Sequence, residues 1–346
     1  MGKRPTIVEV AKLAGVSKST VARALSGASD VNEETRERVR RASEAVGYEP
    51  NHLAVGMRSG RSSLLGLVIP DIANPFWAEV ARGAQDHMAD TGASLLVFSS
   101  DWNGDREAMH LRALRRARVD GIIVNPVSDG DGGISRFGAP FILIGSSAEL
   151  LPDTPSVGSD IRQAVRLGMD HLLTMGHDRP ALVVGPPSKL ARARLLRAVH
   201  DHCVAHDIDP DVLPQEEGDY TFAGGYEAMR RLMARSNGGH LAVFCANDLM
   251  ALGALAAARD AGRDCPRDVS VLGFDGIPAG AYAWPSLTTV EKPAREIGRR
   301  AAELLFEELG GAAVRGRSYL PCRLVERGSV ADLRAVPQRL ARRRRA

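Results

Sequence analysis

Lys18, Ser19 and Arg23 are the residues whose type and spacing first suggest a chemistry: hydrogen bonding to base edges and phosphate oxygens. Lys18 with Ala22, and Ser19 with Arg23, stand four apart, so a helix would carry them on two turns of one face. The elements that must position them are legible in TIVEVAKLAGVSKSTVARAL, residues 6–25. Thr6 and Glu9 make a capping box, and Ile7, Val10, Ala11 and Ala14 recur at the spacing of one buried helical face. Gly15 can take the left-handed corner, after which Ser17 caps a second helix whose Val21, Ala24 and Leu25 turn inward. A third helix is predicted from Asn32, with Glu33 and Glu34 in its first turn, to Gly47. Val39, Ala42 and Val46 would close the small core, leaving Arg36, Arg38, Arg40 and Arg41 as a solvated face. A helical hairpin that only packs is the competing reading. The cap, the glycine corner and the outward basic residues together favour a helix-turn-helix that binds DNA.

The second set of candidate residues is spread along the rest of the chain. After the helix-capable segment 51–58 and the tether-like Ser59-Gly60-Arg61-Ser62-Ser63, short apolar runs alternate with amphipathic stretches: LLGLVI, SLLVF, GIIV, FILI, PALVV, LAVFC and VSVLGF. This pattern predicts an α/β core of two doubly wound parallel sheets, in which ligands bind beyond the carboxyl ends of the strands. The residues just past those ends are Asp71, Asn74 and Phe76, then Gly145 and Ser146, Asn247 and Asp248, Asp275, and Glu291-Lys292. The competing reading is that Asn247 or Asp248 is only a helix cap and that Phe76 is core. Asp275, a carboxylate directly after a buried strand, reads most strongly as a binding group.

Other signals bound the function. His202 and His206 are four apart around Cys203, the spacing of a metal pair, but the segment HDHCVAH reads better as a solvated face, so no metal is expected. There is no GxSxG, P-loop or HExxH, so neither an enzyme nor a cofactor is expected. The formal net charge is +3, yet residues 1–61 carry eleven Lys/Arg against seven Asp/Glu, and residues 332–346 six Arg against one Asp, which leaves the core acidic. A basic end on an acidic core suits DNA docking at that end. The four cysteines show no CxxC spacing, and the start MGKRPTIVEV has no apolar segment of a signal peptide. A cytoplasmic protein with reduced thiols and no membrane partner is the expectation, rather than a secreted binding protein.

IVEVAKLAGVSKSTVARALSG, then VNEETRERVRRASEAVGYEPN and LLGLVIPDIANPFWAEVARGAQDHMADTG, followed by GHDRPALVVGP, VFCANDLMALGAL, VSVLGFDGI, SLTTVEKP and LVERGS, resemble the lactose-repressor (LacI/GalR) family of bacterial transcription factors. The resemblance covers almost the whole chain. It implies an all-α helix-turn-helix headpiece with a hinge helix, residues 1–61, and a two-lobed, periplasmic-binding-protein-like core, residues 62–331. The basic tail 332–346 would then be disordered. It further implies a homodimeric repressor that reads a palindromic operator and is switched by a small effector in the interlobe cleft. The tail offers only Leu333, Val336 and Leu340 around Pro337, too little for the heptads of a tetramer zipper.

Carried over by position, DNA contacts would fall to Thr6, Ser17, Lys18, Ser19, Thr20, Arg23, Asn32 and Tyr48, with Asn51, His52, Ala54, Met57 and Arg58 in the hinge. Ala22 and Ser26 replace the family's usual Ser and Asn, and Met57, preceded by Gly56, stands where the family wedges a Leu into the minor groove. Effector contacts would fall to Phe76, Tyr220, Asn247, Asp275 and Lys292, joined from the strand-end reading by Asp71, Asn74 and Gly145, and by Arg194. Leu195 occupies the position of an Arg in the family's sugar binders, with Arg192 and Arg194 nearby but differently phased. Gly145 would make the pocket roomier, and Lys292 would add a donor for an acidic or phosphorylated effector, the alternative to a sugar-like one.

Overall fold

The computed structural model describes residues 5–334, apart from 26–27, 29, 49–61, 90, 128–131, 146–150, 152, 188 and 237. The chain divides into two compact units, Met1–Ser63 and Leu64–Ala346.

In the first unit, α1 (Ile7–Ala14), α2 (Lys18–Leu25) and α3 (Glu33–Val46) enclose a core centred on Val10, Val21 and Val39. The backbone NH of Thr6 donates to Glu9 Oε2 at 2.7 Å, and Gly15 turns the corner with φ +67°. Asn32 Oδ1 accepts from Thr35 N at 2.8 Å, and Gly47 ends α3 with φ +63°. One expectation is corrected here. Arg36 does not belong to the solvated face: its Nη2 donates to the carbonyls of Ala28 and Val31, both at 3.2 Å, tying the α2–α3 loop to α3. Arg40 and Arg41 do remain outside, paired with Glu37.

The second unit holds two six-stranded sheets. The first is built from β1 (Leu64–Ile69), β2 (Ser94–Ser99), β3 (Gly121–Val124), β4 (Phe141–Ile144), β5 (Ser156–Ser159) and β11 (Arg317–Leu320), in the order β11-β5-β4-β3-β1-β2 and parallel throughout. The second comprises β6 (Ala181–Val184), β7 (Gln215–Glu217), β8 (Leu241–Cys245), β9 (Val269–Asp275), β10 (Thr288–Glu291) and β12 (Arg323–Val325), in the order β12-β10-β9-β8-β6-β7. Its edge strand β12 runs antiparallel to β10, a departure from the all-parallel expectation. The chain passes between the sheets after β5, after β10 and after β11, so each lobe is built from discontinuous sequence.

Helices α4 (Pro75–Met88) and α11 (Ala294–Leu309) pack on the first lobe with their backbones nearly touching. A Cβ at Gly83 would lie 1.9 Å from the Arg295 carbonyl, and one at Gly298 1.9 Å from that of Val80. Only glycine permits that approach. The described residues continue past residue 331: Leu333 N donates to Met175 O at 2.9 Å and Arg334 Nη2 to Leu173 O at 2.9 Å. These bonds dock the start of the tail on the end of α6 (Ile161–Thr174).

Candidate functional site

The reading face is exposed and locally built. Ser17 Oγ accepts from Thr20 N at 3.1 Å and shares hydroxyl hydrogen bonds with Ser19 at 2.7 Å and Thr20 at 2.9 Å, which fixes the first turn of α2. Val21 and Ala24 are buried, whereas Lys18, Ser19 and Arg23 are exposed, as their spacing predicts. The guanidinium of Arg23 is not simply free in solvent, because it is paired with Asp30. Asp30 lies beyond the end of α2 at Leu25, so the periodicity of that helix could not have disclosed it. Thr6 and Asn32 are occupied as caps, and Tyr48 packs on the three-helix core. Asn51, His52, Ala54, Met57 and Arg58, with the whole expected hinge helix, lie outside the described residues, as does Ser26.

The cleft of the second unit is assembled from strand ends of both sheets. Asn74, after β1, caps α4 by accepting from Phe76 N at 3.0 Å, while its Nδ2 donates across to Asp275 Oδ2 at 3.3 Å. Asp275 is the last residue of β9 and holds a φ of 142°, a strained value for a residue with a Cβ. Its Oδ1 lies 2.5 Å from Lys292 Nζ; the two side chains are only 3% and 16% exposed. Burial pushes the Asp275 carboxyl above its ordinary value, and the Lys292 ammonium and the Asn74 amide pull it back. The ammonium also stands 4.2 Å above the Phe76 ring and 5.0 Å above that of Phe274. Lys292 is therefore already paired with a carboxylate of the cleft.

Two loop aromatics form the opposite wall. Trp102, after β2, and Tyr220, after β7, both adopt positive φ, 56° and 67°, and stack at 4.5 Å. Asn247 Oδ1 accepts from Met250 N at 2.8 Å, and its Nδ2 donates to the Tyr220 carbonyl at 2.8 Å. It is thus the cap of α9 (Asp248–Asp260), and through that cap it holds Tyr220 in place. Neighbouring Asp248 is fully buried and accepts from Gly276 N, Ile277 N and Thr289 Oγ1 at 2.8, 2.7 and 2.6 Å, fixing the turn that follows Asp275. Burial, reinforced by the nearby Asp275 carboxylate, pushes its carboxyl up to about 7. Trp102 Nε1 and Tyr220 Oη are buried and have no hydrogen-bond partner among the described residues.

Phe76, Asn74, Gly145, Tyr220, Asn247, Asp275 and Lys292 all line this cleft, and Phe76 belongs to the core of the first lobe as well. Asp71 and Arg194 do not. Asp71 closes a turn by accepting from Ala73 N at 2.8 Å, and Arg194 lines a neighbouring groove with Asp160, Arg162 and Arg197, because its phase on α7 (Leu190–Ala205) differs from that of Leu195. Gly145 does not enlarge the pocket: a Cβ there would lie 2.7 Å from Asn125 Nδ2, so Asn125 fills that space. Trp102, Asn125 and Lys189 are cleft residues that sequence reasoning missed. The strand-end rule applied to SLLVF and GIIV would have found the first two.

Residues 6–51 match the family model "Bacterial regulatory proteins, lacI family", and residues 169–330 match "Periplasmic binding protein-like domain". The HTH-type transcriptional regulator MalR of Streptomyces coelicolor is 34% identical over 342 residues, covering 94% of this chain and 96% of its own. A crystal structure of the Lac repressor dimer bound to operator and the anti-inducer ONPF superposes with a TM-score of 0.85 at 28% identity, covering 95% of this chain and all of that one. The transcriptional regulator CelR in complex with cellobiose gives 0.66 at 29% identity, covering 94% of this chain and 100% of its own. Among the described residues no helix is long and apolar enough to cross a membrane. The exposed basic face on a capped second helix, the two-lobed core and these matches along nearly the full chain have one conclusion: the protein is a transcription regulator of the lacI family.

Proposed function

We propose that this regulator is a cytoplasmic homodimeric repressor, whose paired headpieces grip a palindromic operator through Lys18, Ser19 and Arg23 and whose cleft takes a small, uncharged, sugar-like effector. The observation that carries the reading is the hydrogen bond from Asn74 to Asp275, which joins the strand ends of one lobe to those of the other. A ligand that hydrogen-bonds to Asp275 competes with or bridges that contact, so its binding energy is coupled to how the lobes meet. Mutual neutralisation of Asp275 and Lys292 disfavours an anionic effector. Leu195 and the stacked Trp102 offer an apolar wall for a sugar ring face, and Asn125 and Asp275 face its hydroxyl edge. The operator contacts of the Lac repressor dimer and the cellobiose held by CelR support the two halves of this reading.

The test uses the untagged full chain with DNA from its own upstream region. Gel retardation is expected with the full chain and lost on removing residues 1–61. Sugars and glycosides are screened by quenching of tryptophan fluorescence, since Trp77 and Trp102 line the cleft. For a hit that alters DNA binding, Asp275→Asn should keep retardation while raising the effector concentration needed by at least about tenfold. An unchanged response in that variant would place the effector elsewhere, and retardation by the truncated core would sink the DNA half.

A further inference from the structure

In the second lobe, the C-terminal ends of α6 and α7 carry three potential ligands, away from the residues that line the cleft. His202 and His206 lie one turn apart on α7 and its C-cap, their rings 4.3 Å apart. The Nε2 atoms of both face a single oxygen, Oδ1 of Asp170 on α6, at 3.6 Å and 3.5 Å. These separations are long for hydrogen bonds. They agree with the edge, about 3.4 Å, of a tetrahedron whose ligands stand about 2.0–2.1 Å from a central zinc ion. The three ligand atoms all lie within 4.8 Å of one another. His202 is only 7% exposed, and its Nε2 has no hydrogen-bond partner among the described residues, so a buried, unpartnered ring nitrogen is aimed into this triangle. That burial removes His202 from the solvated face expected of HDHCVAH, of which only His202 and Cys203 are buried.

We propose that Asp170, His202 and His206 bind one divalent ion of the zinc class, with the fourth position open to solvent beside the half-exposed His206. Two imidazoles and a carboxylate select such an ion over calcium or magnesium, which favour all-oxygen shells. Cys203 is no ligand: its side chain is buried in the core of the lobe. Arg166 approaches the second oxygen of Asp170 at 3.6 Å, orienting the carboxylate while opposing the ion's charge. Ile161, which opens α6, and Leu190, Ala191 and Leu195, in the first turns of α7, line the cleft. An ion at the far ends would therefore clamp together two helices whose near ends form the ligand site.

The experiment titrates Zn²⁺ alone into untagged, chelator-stripped full chain by calorimetry, with Co²⁺ absorption as the readout of coordination. One equivalent is expected, with a rise of several degrees in the melting temperature and the visible bands of tetrahedral nitrogen and oxygen ligation. His206→Ala, at a half-exposed position where folding is not at stake, should weaken affinity by at least about tenfold. Asp170→Asn should also weaken it, the exposed neighbour His200→Ala should leave it unchanged, and Arg166→Ala should tighten it. Failure of the folded chain to take up stoichiometric zinc, equal affinity in His206→Ala, or a thiolate charge-transfer band with Co²⁺ would each overturn the assignment.

Discussion

The headpiece and the cleft use the same residue chemistry, charged pairs and helix caps, to opposite ends. In the headpiece the pair Arg23–Asp30 is half-exposed and the cap Ser17 is solvent-facing. In the cleft the pair Lys292–Asp275 and the cap Asn247 are buried. Water screens the first pair, so Arg23 can trade Asp30 for a guanine or phosphate at little cost. The second pair has no such freedom, because each charge is dehydrated and depends on the other. On the proposed function, the first surface would exchange its partner for DNA, and the second would hold its partners until a ligand competes for them.

The largest expected effect sharpens that contrast. Lys292→Ala leaves the Asp275 carboxylate buried without its counter-charge and should lower the core's stability by about 3–5 kcal/mol in urea unfolding followed by tryptophan fluorescence. Arg23→Ala, which breaks the exposed pair, should not move that midpoint. An equal shift for both variants would break the comparison.

Next comes the pH dependence of the core. Because the folded-state value of Asp248 is raised from 3.8 to about 7, the stability contributed by its neutral form is fully present below about pH 4. It is lost as the pH rises through 7. The wild type should therefore gain a few kcal/mol relative to Asp248→Asn as the pH falls from 8 to 5. A stability difference that stays flat over that range would mean that the three donors to Asp248 outweigh its burial.

Arg23→Ala should erase discrimination between operator and random DNA by about 1–3 kcal/mol for each base pair that Arg23 reads, measured by gel-shift competition. Asp30→Ala should have a smaller effect, since Arg23 remains but is no longer oriented, and affinity for random DNA should rise as a negative charge leaves. If Asp30→Ala instead matched the wild type in both respects, the pair would have no part in positioning Arg23. The smallest effect compares the two caps. Ser17→Ala should cost about 1 kcal/mol in thermal unfolding of the headpiece. Asn247→Ala should exceed it by about 1–3 kcal/mol in the core, because the buried Tyr220 carbonyl is also left without its donor.

The three headpiece helices were legible because their determinants are local: a capping box spanning residues 6 to 9, a left-handed glycine at 15, and inward positions set by the helical repeat. The strands of the core were legible where they are apolar, as in LLGLVI and VSVLGF, and were missed where they are not, as in Gln215–Glu217, Arg317–Leu320 and Arg323–Val325. Strand-end logic placed Asn74, Gly145, Asn247 and Asp275 at the cleft, since the carboxyl ends of parallel strands converge there whatever the side chains.

What the sequence by itself determined, then, was which residues are chemically equipped and which face of its own element each occupies. Only the tertiary structure decided how that equipment is engaged. Lys292 is silenced by Asp275, Arg194 points into another groove, Asn125 fills the room left at Gly145, and His202 is buried against Asp170. Each of these outcomes depends on a partner contributed by a different element, at a distance of a few ångströms. Helical and strand periodicities determine direction within an element, but the separations between elements are set by packing of the whole core, down to glycines that let two helix backbones meet.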